Sequence, residues 1–525
     1  MTFRIIIPTA GIGSRLGHLT KNINKSLVSI DHKPVLSHQI AKFPSDCEFI
    51  IALGYKGKLV KEYIEVTYPE RDFIFENINP YIGKGSGLGY TLTQCQKHLN
   101  EPFIFISCDT LVKEDIDPPN YNWIGYSREL NSNSYRSIEL ENGFVIDIKE
   151  KEIKGKNLYP YIGLAGINDH ELFWEMMNSG NDEKISIGES YGLKGLSKKK
   201  KIISKKFTWY DTGQIENLYE IRKNFNNKNK FNILEKQDEH IWFENNRVIK
   251  FSTNNNFISN RVKRASSLYP YVPKILEKNN NMYCYKKIKG NVLSEVITID
   301  LFEKLLKHCQ LFWERKNLNE KEKDQFQRNC LNFYKNKTYE RIKLFYEKFD
   351  KKDTVNYINN SSVKSLSKAL EEINWNDLKI GLPGRFHGDF HFENILFNTE
   401  NEKFIFIDWR QDFAGNLNIG DIYYDLSKLL HGLIINHEII NKNLFSVDWI
   451  NREINYFFER KEILIECEDF FYKWCEQNAY SVKKIKTITS LIFLNIASLH
   501  HYPYCLLLYG LGTKMLNDLL KKESF

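Results

Sequence analysis

Short apolar runs alternate with helical patterns through the first part of the chain. Arg4–Pro8 reads as a buried strand, Glu48–Tyr55 as an apolar strand running into a helix, and Pro102–Ser107 as a strand ending in Cys108-Asp109-Thr110. Strands that alternate with helices imply a mostly parallel sheet with ligands at the carboxyl ends of its strands. Arg222–Asn232 is rich in Asn and Lys and poor in apolar residues, as in a linker. Beyond it, Ile233–Phe243 and Arg247–Phe251 predict a hairpin turning at Asn245-Asn246. From Asp300 to about Leu378 the pattern is helical and charged. Ile395–Phe397 and Phe404–Ile407 then predict two short strands joined by a turn over Asn398–Lys403. Ile488–Leu511 is the most apolar stretch, but Asn495, His500, His501, Tyr502 and Pro503 break it, so it reads as buried helices and not a membrane span.

At 525 residues the chain is too long for one ordinary domain. Its 42% hydrophobic and 27% charged residues fit a soluble protein with sizeable cores. The net charge of +8 suits anionic substrates and is too small to argue for nucleic acid. Nine cysteines are scattered without a Cys-x-x-Cys pair, which reads as free thiols in a reducing cytoplasm and not as disulfides or a zinc site. The N-terminus enters a strand directly and lacks a signal-peptide layout. The Lys198–Lys201 run reads as a solvated loop.

The most informative stretch is His387-Gly388-Asp389-Phe390-His391-Phe392-Glu393-Asn394, followed by the strand pair and Ile407-Asp408-Trp409. Asp389 can accept the proton of an attacking hydroxyl, while Asn394 and Asp408 can hold magnesium against nucleotide phosphates. A hairpin between them brings Asn394 and Asp408 to the same end. This set resembles the aminoglycoside phosphotransferase and choline kinase-like family. The resemblance implies a two-lobed α+β domain over residues 233–525, with a small lobe at 233–300 and a helical large lobe at 301–525. It also implies that Lys250, on the second strand of the first hairpin, contacts the ATP phosphates. The glutamate that usually pairs with this lysine has no clear counterpart near Arg261–Ala265. Asp421 or Asp425, in Gly420-Asp421-x-x-x-Asp425-Leu426, corresponds to a brace for the catalytic loop. Arg410, two residues past Asp408, places a fixed positive charge near the acceptor, which opposes choline and suits a sugar, polyol or hydroxy acid.

Upstream, Ala10-Gly11-Ile12-Gly13-Ser14-Arg15 and Asn24-Lys25 place glycines and cations after the first strand, where backbone N–H groups can approach a phosphate. Gly83-Lys84-Gly85-Ser86-Gly87-Leu88-Gly89 is a second glycine-rich loop. With Asp109, Glu150-Lys151 and Trp209-Tyr210-Asp211-Thr212-Gly213, the set resembles the sugar-phosphate nucleotidylyltransferases, including cytidylyltransferases for phosphocholine. The resemblance covers residues 1–224 and leaves 225–232 as the linker. It implies that Gly11, Gly13, Arg15 and Lys25 bind nucleotide phosphates, with Arg15 and Lys25 aiding catalysis. Gly85 and Gly87 would lie near the base, Asp109 and Asp211 would hold Mg²⁺, and Lys151 would grip the acceptor phosphate. Pro-Thr-Ala-Gly in place of the usual opening loop, and Asn24 in place of proline, are departures.

Together these features predict an α/β chain with two activities. A kinase half would phosphorylate a small hydroxyl compound with ATP. A nucleotidylyltransferase half would then use a second nucleoside triphosphate, CTP or UTP, to activate that phosphate for surface polysaccharide synthesis. A fused choline kinase and phosphocholine cytidylyltransferase is the alternative, as is one half serving as a binding module. Mg²⁺ is the expected cofactor. Nucleic acid and a membrane span are not expected, and the oligomeric state stays open.

Overall fold

The structure, a computed structural model, describes residues 3–128, 134–153, 155, 157–179, 183–225 and 238–521. The expected linker at 225–232 lies, apart from its first residue, outside the described residues. The chain forms two compact units. The first comprises Met1–Asn255 with Leu276–Lys287, and the second Asn256–Ile275 with Ile288–Phe525.

The first unit is built on a nine-stranded sheet. From one edge, Phe73–Asn77, Glu48–Leu53, Arg4–Pro8 and Phe103–Ile106 run parallel. Leu158–Ile167 then pairs antiparallel with Phe103–Ile106 and with Trp123–Tyr126. Ile203–Lys206, Phe144–Lys149 and Ser137–Glu141 complete the order. After their first residues, Arg4 and Glu48, the central strands Arg4–Pro8 and Glu48–Leu53 are buried and apolar at every position, as is Phe103–Ile106, because both faces are covered. Ile5 and Ile7 pack into one core and Ile6 into the other.

A four-stranded sheet also belongs largely to this unit. Glu239–Glu244 and Arg247–Ser252 form the expected hairpin, with Asn245 and Asn246 at φ 49° and 55°. Two consecutive left-handed residues make the turn that suits the twist of a two-residue hairpin, and Asn tolerates that region. Met282–Lys286 pairs beside Arg247–Ser252. Trp242, Ile249, Phe251, Met282 and Cys284 join the same core as Ile5 and Ile7. Trp242 meets Tyr63 edge to face at 5.2 Å, the Arg247 guanidinium donates to the Val66 carbonyl at 3.1 Å, and the Asn281 N–H donates to Glu62 at 3.2 Å.

The second unit is mainly helical. Ile422–Ile434, Val482–Ala497 and Tyr504–Lys521 pack together around apolar faces. The Ile395–Asn398 and Lys403–Phe406 strands pair as expected, with Ile395 opposite Phe406. Among the described residues no helix is long and apolar enough to cross a membrane. All nine cysteines are buried and none is disulfide-bonded. In the lysine run, Lys199 and Lys200 are exposed and pair with Glu175 and Asp169.

Candidate active sites

In the first unit the cluster forms where strands end. The short Thr110–Val112 and Trp209–Asp211 strands pair antiparallel with Asp211 opposite Thr110, which brings Asp211 beside Asp109. The Thr212 N–H and hydroxyl both donate to the Asp109 main-chain oxygen at 3.0 Å, locking the two ends together. A Cβ placed on Gly213 would stand 2.7 Å from Asp109 Oδ2 and 3.1 Å from Asp211 Oδ1. Both carboxylates therefore border one small space that glycine leaves open.

Lys25 Nζ lies 3.1 Å from Asp109 Oδ2. Burial alone would lower the lysine, but Asp109 outweighs it and holds the ammonium above its ordinary value. Burial likewise pushes Asp109 up, and Lys25 brings it below the usual carboxylate range. Asn24 positions this lysine. Its amide donates to the Thr9 and Tyr55 carbonyls at 2.9 and 2.6 Å, and its oxygen caps the following turn at Ser26 N–H. Gly13 sits at φ 70°, and a Cβ there would come within 2.8 Å of Lys25 Cβ. Gly11 is also adjacent to Lys25. Arg15 is exposed and acts on Asp109 through charge. Asp211 accepts hydrogen bonds from Tyr135 Oη at 2.7 Å and from Gly213 N–H at 2.8 Å.

Other expected residues lie apart in character. Gly85 adopts φ 84° in open surroundings. Gly87 and Gly89 press against the backbone at Lys184 and Ile185, where any side chain would collide, so close packing already requires glycine at both. Lys151 is exposed beyond the Phe144–Lys149 strand, and neighbouring Glu150 pairs with Arg136 at 3.0 Å.

In the second unit, the strand register sets Asn394 opposite Ile407, whose N–H donates to the Asn394 carbonyl at 2.9 Å. Asp408 follows directly, at φ 59°, a left-handed conformation that Asp bears better than most residues. Asn394 Nδ2 donates to the Asp389 carbonyl at 2.9 Å and to Asp389 Oδ2 at 3.2 Å. Asp389 Oδ1 pairs with Lys428 Nζ at 2.7 Å. Burial raises the carboxyl, but Lys428 outweighs it and keeps Asp389 well below the usual range.

The loop that carries His387, Gly388 and Asp389 is held from two sides. Asp425, fully buried, accepts from His387 and Gly388 N–H at 2.6 Å each and from Trp313 Nε1 at 3.0 Å. Buried Arg264 donates to the carbonyls of Phe386, Leu417, His387 and Arg410 and stacks on Phe386. One turn earlier on the same helix, Asn255–Leu268, Arg261 pairs with Asp408 at 3.2 Å. The partner of Asp408 on this helix, where the family resemblance expects a glutamate, is thus an arginine. Asp421 caps the next helix and accepts from Tyr334 at 2.7 Å. Lys250, 7% exposed, lies on the Arg247–Ser252 strand of the first unit.

Sequence reasoning missed Tyr135, Lys428, Arg261 and Arg264. Lys428 carried one signal: it follows Asp425 by one helical turn, on the face that meets the loop. The others act across long separations.

Residues 339–441 match the phosphotransferase enzyme family. The N-terminal part is similar to a bifunctional protein GlmU of Methanococcus maripaludis, 26% identical over 231 residues, which cover 42% of this chain and 54% of that one. It is also similar to a probable glucose-1-phosphate cytidylyltransferase of Bacillus subtilis, 40% identical over 62 residues, or 11% of this chain and 24% of the relative. The chain spans about half the length of the GlmU relatives it matches. A solved UDP-glucose pyrophosphorylase in complex with UDP-glucose aligns at 20% identity and a TM-score of 0.38, covering 44% of this chain and all of that one. The chain therefore resembles the nucleotidylyltransferases in its N-terminal half and carries a phosphotransferase-family, kinase-like segment in its C-terminal half.

Proposed function

We propose that this is a bifunctional enzyme that phosphorylates a small hydroxyl compound with ATP and then couples that phosphate to a nucleoside monophosphate. The observation that carries the reading is the presence of two separate polar clusters, Lys25 with Asp109 and Asp211 in one unit, and Asp389, Asn394 and Asp408 in the other. The acceptor is a sugar, polyol or hydroxy acid, and the second nucleotide is CTP or UTP. The product belongs among cytoplasmic precursors of surface polysaccharide. Functionally, residues 1–224 form the nucleotidylyltransferase part and 233–525 the kinase part, with Lys250 as its phosphate-binding lysine.

Both clusters suit Mg²⁺. Each offers only hard oxygen donors and too few to enclose an ion, the habit of magnesium shared between one or two carboxylates, water and phosphate. Bound there, Mg²⁺ would supply charge neutralisation at the phosphates. Asp109 and Asp211 would hold it in the first site, and Asn394 and Asp408 in the second. In the kinase reaction Asp389, kept ionised, takes the acceptor's hydroxyl proton. In the nucleotidyl transfer the acceptor phosphate attacks the α-phosphorus. Lys25 and Arg15 offset the charge of the departing pyrophosphate, Gly11 and Gly13 leave room for the phosphates, Gly85 and Gly87 border the base, and Lys151 meets the acceptor phosphate. Choline as acceptor is less well supported: Arg410 and Lys428 border Asp389, and Trp474 is buried against Phe471 and Tyr480 instead of lining a cage.

The test is a pair of variants. Asp389→Asn should abolish ATP-dependent acceptor phosphorylation, and Asp109→Ala should abolish pyrophosphate release from pre-phosphorylated acceptor. Retention of either activity in its own variant would overturn the corresponding assignment.

A further inference from the structure

One aromatic ring in the second unit carries two cations. Phe333 lies in a π-helical turn, Asn332–Asn336, between the Glu320–Leu331 and Lys337–Phe349 helices. Such turns are frequent at functional sites. Lys337 Nζ stands 4.2 Å from the Phe333 ring centre and Arg410 Cζ stands 4.9 Å from it. The two charges are thus no more than about 9 Å apart.

Neither cation has a carboxylate ion-pair partner among the described residues. Arg410 Nε donates to the main-chain oxygen of Asp412 at 3.1 Å, while the Asp412 carboxylate is taken by Gly415 N–H. Burial, Arg410, Arg341 and Lys428 pull the Lys337 ammonium down to about 7, against an opposing pull from Asp389. Asp389 is itself engaged by Lys428. Burial holds His431 and His437, which feel Lys428 and Asp389, below the usual imidazole range, so they add no further positive charge around Asp389.

The cluster borders the candidate base. Arg410 crosses Gly388, where an added Cβ would come within 2.6 Å of Arg410 Cβ, and Asp389 is the next residue. Crowded like charges in a partly buried place are unfavourable until an anion arrives among them. Building on the kinase reading of this site, we propose that the hydroxyl acceptor carries an anionic group, a carboxylate or a phosphate, bound by Lys337 and Arg410. In the transfer, the acceptor oxygen bonds to the γ-phosphorus of ATP, the bond from that phosphorus to ADP breaks, and the hydroxyl proton passes to Asp389 and then to water. A neutral polyol would leave the two cations unmatched.

The experiment measures ADP formation by the full chain with ATP and Mg²⁺ at constant ionic strength. The acceptors are matched sets: glycerol, glycerate and glycerol 3-phosphate; ribitol, ribonate and ribitol 5-phosphate; glucose, gluconate and glucose 6-phosphate. An anionic member should exceed its neutral partner by about tenfold or more in kcat/KM, the scale of one charge-assisted hydrogen bond. The acid and phosphate arms separate the two sources of charge. Lys337→Met should raise KM for that acceptor by about tenfold or more with kcat within about threefold, and Lys337→Arg should restore most of the loss. Preference for neutral acceptors, or an unchanged KM in Lys337→Met, overturns the proposal and leaves the kinase reading standing. Should no acceptor yield ADP, the kinase reading fails, and anion binding is read by thermal shift with inorganic phosphate. A smaller shift in Lys337→Met than in the unmodified chain supports the anion site, and equal shifts overturn it.

Discussion

Replacing Gly213 with alanine tests the first site with a single carbon atom. The added Cβ would sit 2.7 Å from Asp109 Oδ2 and 3.1 Å from Asp211 Oδ1, between the two carboxylates proposed to share a metal. Ordinary contact begins near 3.4 Å, so the Asp109 carboxylate must retreat by about 0.7 Å. Asp211 cannot easily follow, since Tyr135 and the Gly213 N–H hold its two oxygens. Magnesium accepts oxygen ligands only at about 2.0–2.1 Å, and a misplacement near 1 Å costs on the order of 10²-fold in rate. Gly213→Ala should therefore lower pyrophosphate release by roughly 30- to 100-fold, about 2–3 kcal/mol in the barrier, and raise the Mg²⁺ requirement. Gly213 does not adopt a left-handed φ, so alanine fits the backbone and the melting temperature should stay near that of the unmodified chain. ADP formation by the kinase half serves as the internal control. Pyrophosphate release within about threefold of normal, at the same Mg²⁺ dependence, would refute the two-carboxylate site.

Two further predictions concern the kinase half. Asp425→Ala strands three buried donors and should cost about 3–6 kcal/mol in urea unfolding, while Asp425→Asn, which keeps the shape, should cost less. Burial raises the Asp425 carboxyl to about 6, above its unfolded value. The folded chain then binds the extra proton between pH 4 and 6, so this group's stability contribution is greatest below that window and is lost as pH rises through it, by up to about 3 kcal/mol. Asp425→Asn should remove that part of the pH dependence, and identical profiles would contradict the sign. Lys428→Met takes away the cation that keeps Asp389 ionised, so the acid limb of the kcat/KM profile for ADP formation should move to higher pH, with a larger rate loss at pH 6 than at pH 8. An unmoved acid limb would show that Lys428 does not set the state of Asp389.

Much of this architecture is local and therefore readable. The Ile395–Phe406 hairpin, the Asn245-Asn246 turn and the glycine-rich first loop each follow from residues adjacent in sequence. The supports of the sites are not local. Tyr135 reaches Asp211 from the bend before the distant Ser137–Glu141 strand, and Arg264 reaches the Asp389 loop from a helix more than a hundred residues upstream. The resemblance places Gly87 near the base and says nothing of packing, yet the backbone of Lys184–Ile185, distant in sequence, gives both Gly87 and Gly89 a packing reason to be glycine. The sheet bearing Lys250 shows the limit most clearly. Its motif speaks of kinases, yet Trp242, Phe251 and Met282 share a core with Ile5 and Ile7, and no periodicity in a strand names the surface it will cover.

In the proposed function two chemistries on one chain act in sequence. The direct measurement is pyrophosphate release with ATP, Mg²⁺ and an unphosphorylated acceptor, each paired in turn with CTP, UTP, GTP or dTTP. Pyrophosphate should appear only when ATP, one acceptor and one second nucleotide are all present, with the signal lost in both Asp389→Asn and Asp109→Ala. Adding the pre-phosphorylated acceptor should restore it in Asp389→Asn alone. Pyrophosphate that appears without ATP from an unphosphorylated acceptor, or survives Asp389→Asn without the phosphorylated acceptor, would contradict the coupled reaction.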